Sequence, residues 1–441
     1  MPPALVRTLG SRDLTLLVVG NVIGSGIFLV PASVLLQSGG SLPIALGVWL
    51  AGGVLSLMGA LSYAELGGMD PGAGGLYAYI RDAFGAFPAF LYGWTLFFVI
   101  GAGTIATLAV AAAEYLTQFT PLSAVAKQGV AIALIASTAV INVRGLRGSA
   151  AVQNVTTGIK VLAIVALSLL LLGLSLGGDA ATVANAPPPA PAVTLSGVGL
   201  SVIAVLWAYE GWQYVTFVAG EARDPQRTIP RALIVGTVLL IGIYLLANVA
   251  YAAALGTADM ANSSRVAGDA VTRVLGPTAG KIVALVIIVS MYSAAHGTVI
   301  TVPRVYQAMA ADGVFFRQLA AVHPRYGTPA VAVLSSCAWA AVLAVSGTFE
   351  QLLTYVVFIG WIFYALGAAA VIRLRQTQPG AVRPFRVPGY PFTPVLFVLA
   401  AAAIVGNTIV AQPRQSVVGL GMVLLGAPAY AVWRRRTTAA P

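Results

Sequence analysis

Apolar residues along this chain fall into runs long enough to cross a lipid bilayer, separated by short polar segments. A helix rises about 1.5 Å per residue, so about 20 apolar residues cover the hydrocarbon core. The pattern predicts an all-α integral membrane protein with twelve transmembrane helices. They are expected near residues 14–36, 41–64, 84–116, 127–142, 150–173, 195–220, 229–255, 277–303, 329–346, 349–372, 391–411 and 415–433.

Composition supports this interpretation and excludes a soluble protein. The chain has 441 residues, of which 59% are hydrophobic and only 8% are charged, whereas a soluble domain carries about 25% charged residues. The first apolar run is longer than the hydrophobic part of a signal peptide, and no small-residue cleavage site follows it. We therefore expect no cleaved signal peptide.

The net charge of +11 is unevenly distributed between the two sides of the predicted bundle. With the N-terminus inside, 18 of the 24 lysines and arginines lie on inner segments, five lie on outer segments, and Lys160 lies within a span. Inner loops of membrane proteins carry such an excess of positive charge. This predicts an inner or plasma membrane protein with both termini in the cytoplasm, and it explains the basic character without nucleic acid.

Few side chains are available for metal binding or catalysis. The chain has two histidines and one cysteine, Cys337, which lies inside an apolar run. An intrachain disulfide is therefore impossible, and a metal site of the usual Cys/His kind would lack ligands. No nucleophile, base and metal occur together, so we expect neither an enzyme nor a bound cofactor.

The first span contains a cluster of glycines in "VVGNVIGSGIFLVP". Gly20, Gly24 and Gly26 fall in its middle third. Glycine tolerates non-helical backbone angles and close backbone approach. Helix packing through the small pair Gly20 and Gly24 is one explanation. The density of the Gly-Ser-Gly sequence favours a break in the helix.

The sixth span contains a carboxylate and a glycine in "LWAYEGWQYV". A charged side chain at mid-membrane costs about 2.5–3.5 kcal/mol on insertion scales, so Glu210 is expected to face a cavity or a partner. Gly211 allows the backbone to leave the helix, and Trp207 and Trp212 can form cavity walls. The alternative is a protonated glutamate in a structural hydrogen bond.

These two interruptions lie five crossings apart, on helices that enter from opposite sides. That placement is typical of an inverted repeat in which spans 1–5 recur upside down as spans 6–10. Broken backbone at this depth persists only where it lines a cavity or is buried in protein. Helix N-termini attract a carboxylate and freed carbonyls attract an ammonium. The pattern therefore favours a zwitterionic α-amino acid as the ligand.

The motifs "GNVIGSGIF", "WAYEGW" and "GEARDPQRTIPRA" resemble those of the amino acid–polyamine–organocation (APC) superfamily, and specifically the L-type amino acid transporter branch with its bacterial members. The resemblance covers essentially the whole chain. It implies a leucine-transporter-like 5+5 inverted repeat with broken helices 1 and 6. The single transporter domain, residues 1–441, would comprise repeats at 14–173 and 195–372 and two additional helices at 391–433.

The resemblance also implies where the substrate binds. Its carboxylate would meet the backbone and hydroxyl of the first break, and its ammonium would meet carbonyls of the second. Many relatives have aspartate, glycine or serine at the position of Glu210, so side-chain selectivity is left open. The implied substrate-binding residues are Gly24, Ser25, Gly26, Ile27, Trp207, Ala208, Tyr209, Glu210 and Gly211.

Lys160 and Tyr244 are the implied coupling or gating residues. In related sodium-independent members a lysine in span 5 looks like the replacement for a sodium ion, joining span 5 to span 1. The alternative is a lysine that extends to the cytoplasmic surface. Tyr244 resembles a span 7 tyrosine that links the substrate to span 1, although an ordinary buried tyrosine would fit the sequence as well.

The sequence thus predicts a sodium-independent transporter of small to medium neutral L-amino acids that works by alternating access and exchange. The alternatives are proton-coupled symport, with possible acceptance of cationic amino acids, and an amino acid sensor. Animal relatives join a glycoprotein subunit through an outer-loop cysteine. Because Cys337 is intramembrane, no disulfide-linked subunit is expected, and the only partners are the substrate and the lipid bilayer.

Overall fold

A computed structural model describes residues 6–177, 193–346 and 349–438. Every regular element within these ranges is helical, and no β-strand occurs among them. One isolated bridge pairs Leu9 with Ala222. The all-α class predicted from the apolar runs is therefore confirmed.

The first half of the bundle contains eight α-helices. A π-helical segment, Leu96–Ile100, joins the fifth to the sixth. The helices are α1 (Ser11–Val22), α2 (Gly26–Gln37), α3 (Leu42–Met69), α4 (Leu76–Phe84), α5 (Ala86–Thr95), α6 (Gly101–Leu116), α7 (Ala124–Val143) and α8 (Leu146–Gly177).

The second half contains eleven α-helices and two 3₁₀ helices, Trp212–Glu221 and Arg317–Ala320. The α-helices are α9 (Leu195–Ala208), α10 (Pro225–Leu255), α11 (Thr257–Asn262), α12 (Val266–Leu275), α13 (Pro277–Thr301), α14 (Pro303–Ala311), α15 (Ala330–Ser346), α16 (Phe349–Thr377), α17 (Phe392–Ala411), α18 (Pro413–Leu424) and α19 (Gly426–Thr438).

Length and apolar composition identify nine helices in the described part of the chain that could cross a membrane, or up to ten if the bent pair α1–α2 is one span. Two predicted spans fall short for separate reasons. The helix α15 has only 17 residues. The helix α9 has 14, because the backbone leaves the α-helical path after Ala208. The count of twelve spans stays a prediction.

The α5–π–α6 segment forms the centre of the bundle, with 89% of its most apolar stretch buried. The π turn displaces backbone carbonyls from their usual partners, and side chains of other helices bind them. Tyr306 donates its hydroxyl to the carbonyl of Leu96 at 2.9 Å, and Trp339 donates its indole N–H to that of Phe98 at 2.9 Å. These bonds connect the central helix to α14 and α15.

The last helices lie at the edge of the bundle. Only 22% of the apolar stretch of α17 and 17% of that of α18–α19 are buried. Large apolar side chains such as Leu399 and Val410 are exposed there. In a chain of this composition, such surfaces are suited to contact with lipid.

Two carboxylates at the predicted cytoplasmic ends of the helices bind arginines from distant segments. Glu65 accepts from Arg375 at 2.8 and 2.6 Å and from the backbone N–H of Val387 at 2.7 Å. Glu221 accepts from Arg304 at 2.8 and 3.2 Å, and both of these side chains are 1% exposed. These contacts fix the ends of helices that begin far apart in sequence.

Candidate functional site

The first span is broken, as the glycine cluster predicts. The helices α1 and α2 meet at residues 23–25 with a bend of 47°. A Cβ on Gly26 would lie 2.4 Å from the Cα of Ala208, so only glycine permits this approach of α2 to α9. Gly26 therefore allows the two broken spans to pack closely against each other.

The sixth span is broken at Tyr209–Gly211. Gly211 has a φ of 114°, a left-handed conformation that favours glycine. The chain then continues as the 3₁₀ helix Trp212–Glu221. A Cβ on Gly211 would lie 3.2 Å from backbone and side-chain atoms of Asn21. The breaks in the first and sixth spans therefore face each other and are in contact.

Lys160 is fully buried against the first break and does not extend to the surface. Its ammonium donates to the carbonyls of Gly20 and Ile23 at 2.6 Å each, and it lies 3.5 Å from that of Ser290. The end of α1 carries the partial negative charge of a helix C-terminus. The amino group of Lys160 thus reaches from α8 to the carbonyls that the break has freed.

Two hydroxyls bind the remaining carbonyls of this turn. That of Tyr244 lies 3.1 Å from the carbonyl of Val22 and 2.8 Å from that of Ala208, so it joins the ends of α1 and α9. That of Ser290 lies 3.1 and 3.3 Å from the carbonyls of Ile23 and Gly24. The backbone carbonyls at the end of α1 are therefore hydrogen-bonded by side chains of other helices.

A small cavity of about 20 Å³ lies between the two breaks. That volume has room for about one water molecule, so the breaks must move apart to admit an amino acid. Its lining residues are Asn21, Val22, Gly24, Ser25, Gly26, Thr104, Leu108, Trp207 and Glu210.

Five of the nine residues expected to bind substrate line this cavity: Gly24, Ser25, Gly26, Trp207 and Glu210. The other four flank it. Ile27 lies in the first turn of α2, while Ala208 and Gly211 border the break of α9. The ring of Tyr209 points away, packing against Trp49 and Tyr244, so only its backbone borders the site.

Sequence reasoning missed several residues at the site. Asn21 is an amide within the quoted glycine motif, and it could have been selected for that reason. Thr104 and Leu108 come from the central helix α6, which carries no charge or break at that point to mark them. Ser290 and Tyr364 lie in mostly apolar helices, and only the fold brings them to the breaks.

Two side chains donate hydrogen bonds to one oxygen of the Glu210 carboxyl group. Gln213 donates its side-chain N–H to Oε1 at 2.7 Å, and Tyr364 of α16 donates its hydroxyl to the same oxygen. Both partners are buried. The carboxyl group is thereby oriented by its own span and by a helix 154 residues away.

No three His, Cys, Asp or Glu side chains of the described ranges lie together as a metal site requires. The site instead offers N–H groups at the start of α2, carbonyls at the end of α9, and one carboxyl group. Such groups are chemically suited to a small molecule that carries both hydrogen-bonding groups and charge.

Two broken helices that face a cavity deep within a largely apolar bundle define a membrane transporter. The family model for amino acid permeases matches residues 9–429. The chain belongs to that family, and the predicted resemblance to the APC superfamily and its L-type branch is confirmed.

Full-length relatives include transporters from bacteria and animals. The serine/threonine exchanger SteT of Bacillus subtilis (strain 168) is 30% identical over 98% of this chain and 98% of its own length. The human b(0,+)-type amino acid transporter 1 is 32% identical over 93% of this chain and 84% of its own. The mouse large neutral amino acids transporter small subunit 2 is 31% identical over 97% of this chain and 81% of its own length. The matched proteins are transporters and not enzymes.

Proposed function

We propose that this protein is a sodium-independent secondary transporter that exchanges small to medium neutral L-amino acids by alternating access. Membership of the amino acid permease family supports amino acids as the cargo. The relatives named as an exchanger of serine and threonine and as a carrier of large neutral amino acids support neutral substrates. The observation that carries the proposal is the pair of facing helix breaks with Lys160 bound to one of them.

The architecture that accompanies this proposal is a bundle of twelve spans in the inner or plasma membrane, with both termini in the cytoplasm. Residues 14–173 and 195–372 form the inverted repeats, and 391–433 form two peripheral helices. The placement of breaks at corresponding points, α1–α2 and α9–3₁₀, supports the repeat. The excess of arginine on the predicted inner segments supports the orientation.

The substrate zwitterion would bind across the two breaks. The first N–H groups of α2, at Ser25, Gly26 and Ile27, lack partners within their helix and lie at the positive end of its dipole, which suits a carboxylate. The end of α9, at Trp207, Ala208 and Tyr209, presents carbonyls that suit an ammonium. Spans 1 and 6 would then tilt together against the remaining helices to expose the site to the other side.

The position of Lys160 supports sodium independence. A sodium ion at the end of α1 would bind the carbonyls that Lys160 binds now, and its charge would meet that of the ammonium. A fixed charge on α8 supplies this interaction permanently. Transport therefore draws on amino acid gradients rather than on a sodium gradient.

Proteoliposomes loaded with unlabelled amino acid test the proposal. Uptake of a labelled amino acid should require amino acid inside and should be equal in sodium and choline buffers. Proton-coupled symport is the second candidate, favoured by the carboxyl group of Glu210 at the cavity. Uptake into vesicles without internal amino acid, driven by an inward proton gradient, would establish symport and overturn exchange.

Replacing Lys160 by methionine tests the coupling role while keeping a similar side-chain length. The change removes two charge-assisted hydrogen bonds, each worth about 1.5–3 kcal/mol, so exchange should fall at least tenfold. Lys281→Met, at an exposed position on α13, is the matched control and should retain activity. Size-exclusion chromatography in detergent confirms folding. Undiminished exchange in a folded Lys160→Met protein would refute the coupling role.

A further inference from the structure

A second and larger cavity lies between α6, α7 and α15, lined by a different set of residues from those at the helix breaks. Its volume is about 420 Å³, which falls within the range of sites that hold a small organic molecule. Apolar side chains form most of its wall, among them the buried Ala113, Ala131 and Ala344. Leu29 of α2 also lines it. The cavity is therefore an apolar groove that reaches the outer half of the first span.

The groove lies beside a surface that is suited to contact with lipid. Val345, which lines the groove, is exposed, and so is Val125, the neighbour of the lining residue Ala124. Only 22% of the most apolar stretch of α7 is buried. In a membrane-spanning bundle, exposed apolar surface of this kind contacts acyl chains. Lipid is therefore the molecule that this groove meets at the highest concentration.

An ion pair forms the polar edge of the groove. Lys127 of α7 donates to Oε2 of Glu114 of α6 at 2.8 Å, and both residues line the groove. Their side chains are 34% and 62% exposed. Exposed pairs of this kind contribute little to stability, so each charge can exchange its partner for a ligand group. The groove thus presents one positive and one negative charge at the predicted outer side, next to apolar walls.

The head group decides which lipid such a groove prefers. An acyl chain that enters the groove leaves one apolar environment for another, so the chain adds little selectivity. A phosphate group accepts hydrogen bonds from the ammonium of Lys127, and the carboxylate of Glu114 accepts them from a primary ammonium. A trimethylammonium group has the charge but no N–H donor. A zwitterionic head group with a phosphate and a primary ammonium therefore complements both charges.

We propose that this groove binds one acyl chain of a phospholipid whose head group carries a phosphate and a primary ammonium. The phosphate binds Lys127 and the ammonium binds Glu114. The chain packs against Leu29 of α2, which follows Gly26 by three residues. The lipid is thus held beside the outer half of the broken first span, outside the substrate site.

Competition between two lipids with identical chains tests the proposal. The full-length protein in detergent is mixed with equal amounts of dioleoyl phosphatidylethanolamine and dioleoyl phosphatidylcholine, and native mass spectrometry measures which lipid is retained. The phosphatidylethanolamine should be retained roughly two- to fivefold more, because its additional bonds lie at an exposed ion pair. Equal retention would overturn the proposal. A dimer mass in place of the lipid adduct would also overturn it, because a second copy of the chain would then cover the groove.

The source of the preference is located by removing one charge. Glu114→Gln keeps the shape of the side chain and should bring the ratio of the two lipids close to one. The matched control is Asp259→Asn, which alters another exposed carboxylate, paired with Arg273. This control should retain the preference of the parent protein. A preference that survives in Glu114→Gln would refute the role of Glu114.

Filling the groove tests the position of the acyl chain. Ala131→Phe places a ring in the groove and should reduce the retention of both lipids, whereas Val125→Phe, on the exposed face of α7, should not. Undiminished retention in a folded Ala131→Phe protein would overturn the proposal. If that variant does not fold, the Glu114→Gln comparison decides the matter. Displacement of the lipid by soluble phosphoethanolamine would show that the chain is not bound. These measurements involve no transport, so their outcome is independent of the proposed exchange.

Discussion

The buried ion pair between Glu221 and Arg304 should make a large contribution to stability. Glu221 ends the 3₁₀ helix of the sixth span, and Arg304 begins α14. The two bonds of 2.8 and 3.2 Å are bidentate. The backbone carbonyl of Glu221 also accepts the N–H groups of Thr8 and Leu9, at 2.9 and 3.0 Å. One residue thus holds the N-terminal segment, the sixth span and α14 together.

Glu221→Gln removes the negative charge and leaves the Arg304 guanidinium buried without its counter-ion. Both side chains are only 1% exposed, so water cannot replace the lost partner. Breaking such a pair on one side costs about 3–5 kcal/mol. We therefore expect the apparent unfolding temperature in detergent to fall by several degrees, measured by the loss of the monodisperse chromatographic peak after heating.

The matched control is Asp224→Asn, three residues further along. Its carboxylate lies 3.9 Å from Arg227, and the two side chains are 59% and 86% exposed. Exposed pairs contribute about 0–1 kcal/mol, so this variant should unfold with the parent protein. The double change Glu221→Leu with Arg304→Met removes both charges and should recover most of the lost stability. Equal unfolding temperatures for Glu221→Gln and Asp224→Asn would refute the reasoning.

Two further predictions concern the helix breaks. Gly26→Ala places a Cβ 2.4 Å from the Cα of Ala208, so it should force α2 from α9 and reduce exchange by more than tenfold. The control Gly158→Ala, with no atom within 4 Å of the added Cβ, should retain exchange. Tyr244→Phe removes the hydroxyl shared by the carbonyls of Val22 and Ala208. Because an unsatisfied buried group costs about 1–3 kcal/mol, exchange should fall roughly tenfold or more while the protein stays folded, and an unchanged exchange rate would contradict the bridging role.

The breaks could be predicted from sequence because their causes are local. Three glycines within one apolar run, and a glutamate beside a glycine in another, each conflict with a continuous membrane helix. The structure has a 47° bend at the first and a left-handed Gly211 at the second. The resemblance to the permease family and the all-α class were also predicted from local signals in the sequence. Within a membrane the backbone N–H and C=O groups must bond to one another, so an apolar run of this length forms a helix. That is why these predictions succeeded.

The partners of the breaks could not be predicted in the same way. Ser290 reaches the carbonyl of Ile23 across 267 positions of the chain, and Tyr364 reaches Glu210 across 154. Each lies in a mostly apolar helix, and nothing in the sequence around it shows which distant group it binds. Rotation and tilt of the helices decide which groups meet, and a single sequence does not specify either. For this reason the sequence does not predict which groups the Glu210 side chain contacts.

The division of donors around the two breaks bears on how exchange would arise. At the end of α1, Lys160, Tyr244 and Ser290 already bind the freed carbonyls. At the start of α2, by contrast, the first N–H groups lack helical partners, and a substrate carboxylate would satisfy them. If spans 1 and 6 move as one unit, a loaded carrier moves with these groups paired, whereas an unloaded carrier moves with them unpaired in a tight, largely apolar site. The cost of unpaired buried donors is about 1–3 kcal/mol each. Several of them together would slow the return of the unloaded carrier by orders of magnitude, and this is the kinetic condition for exchange.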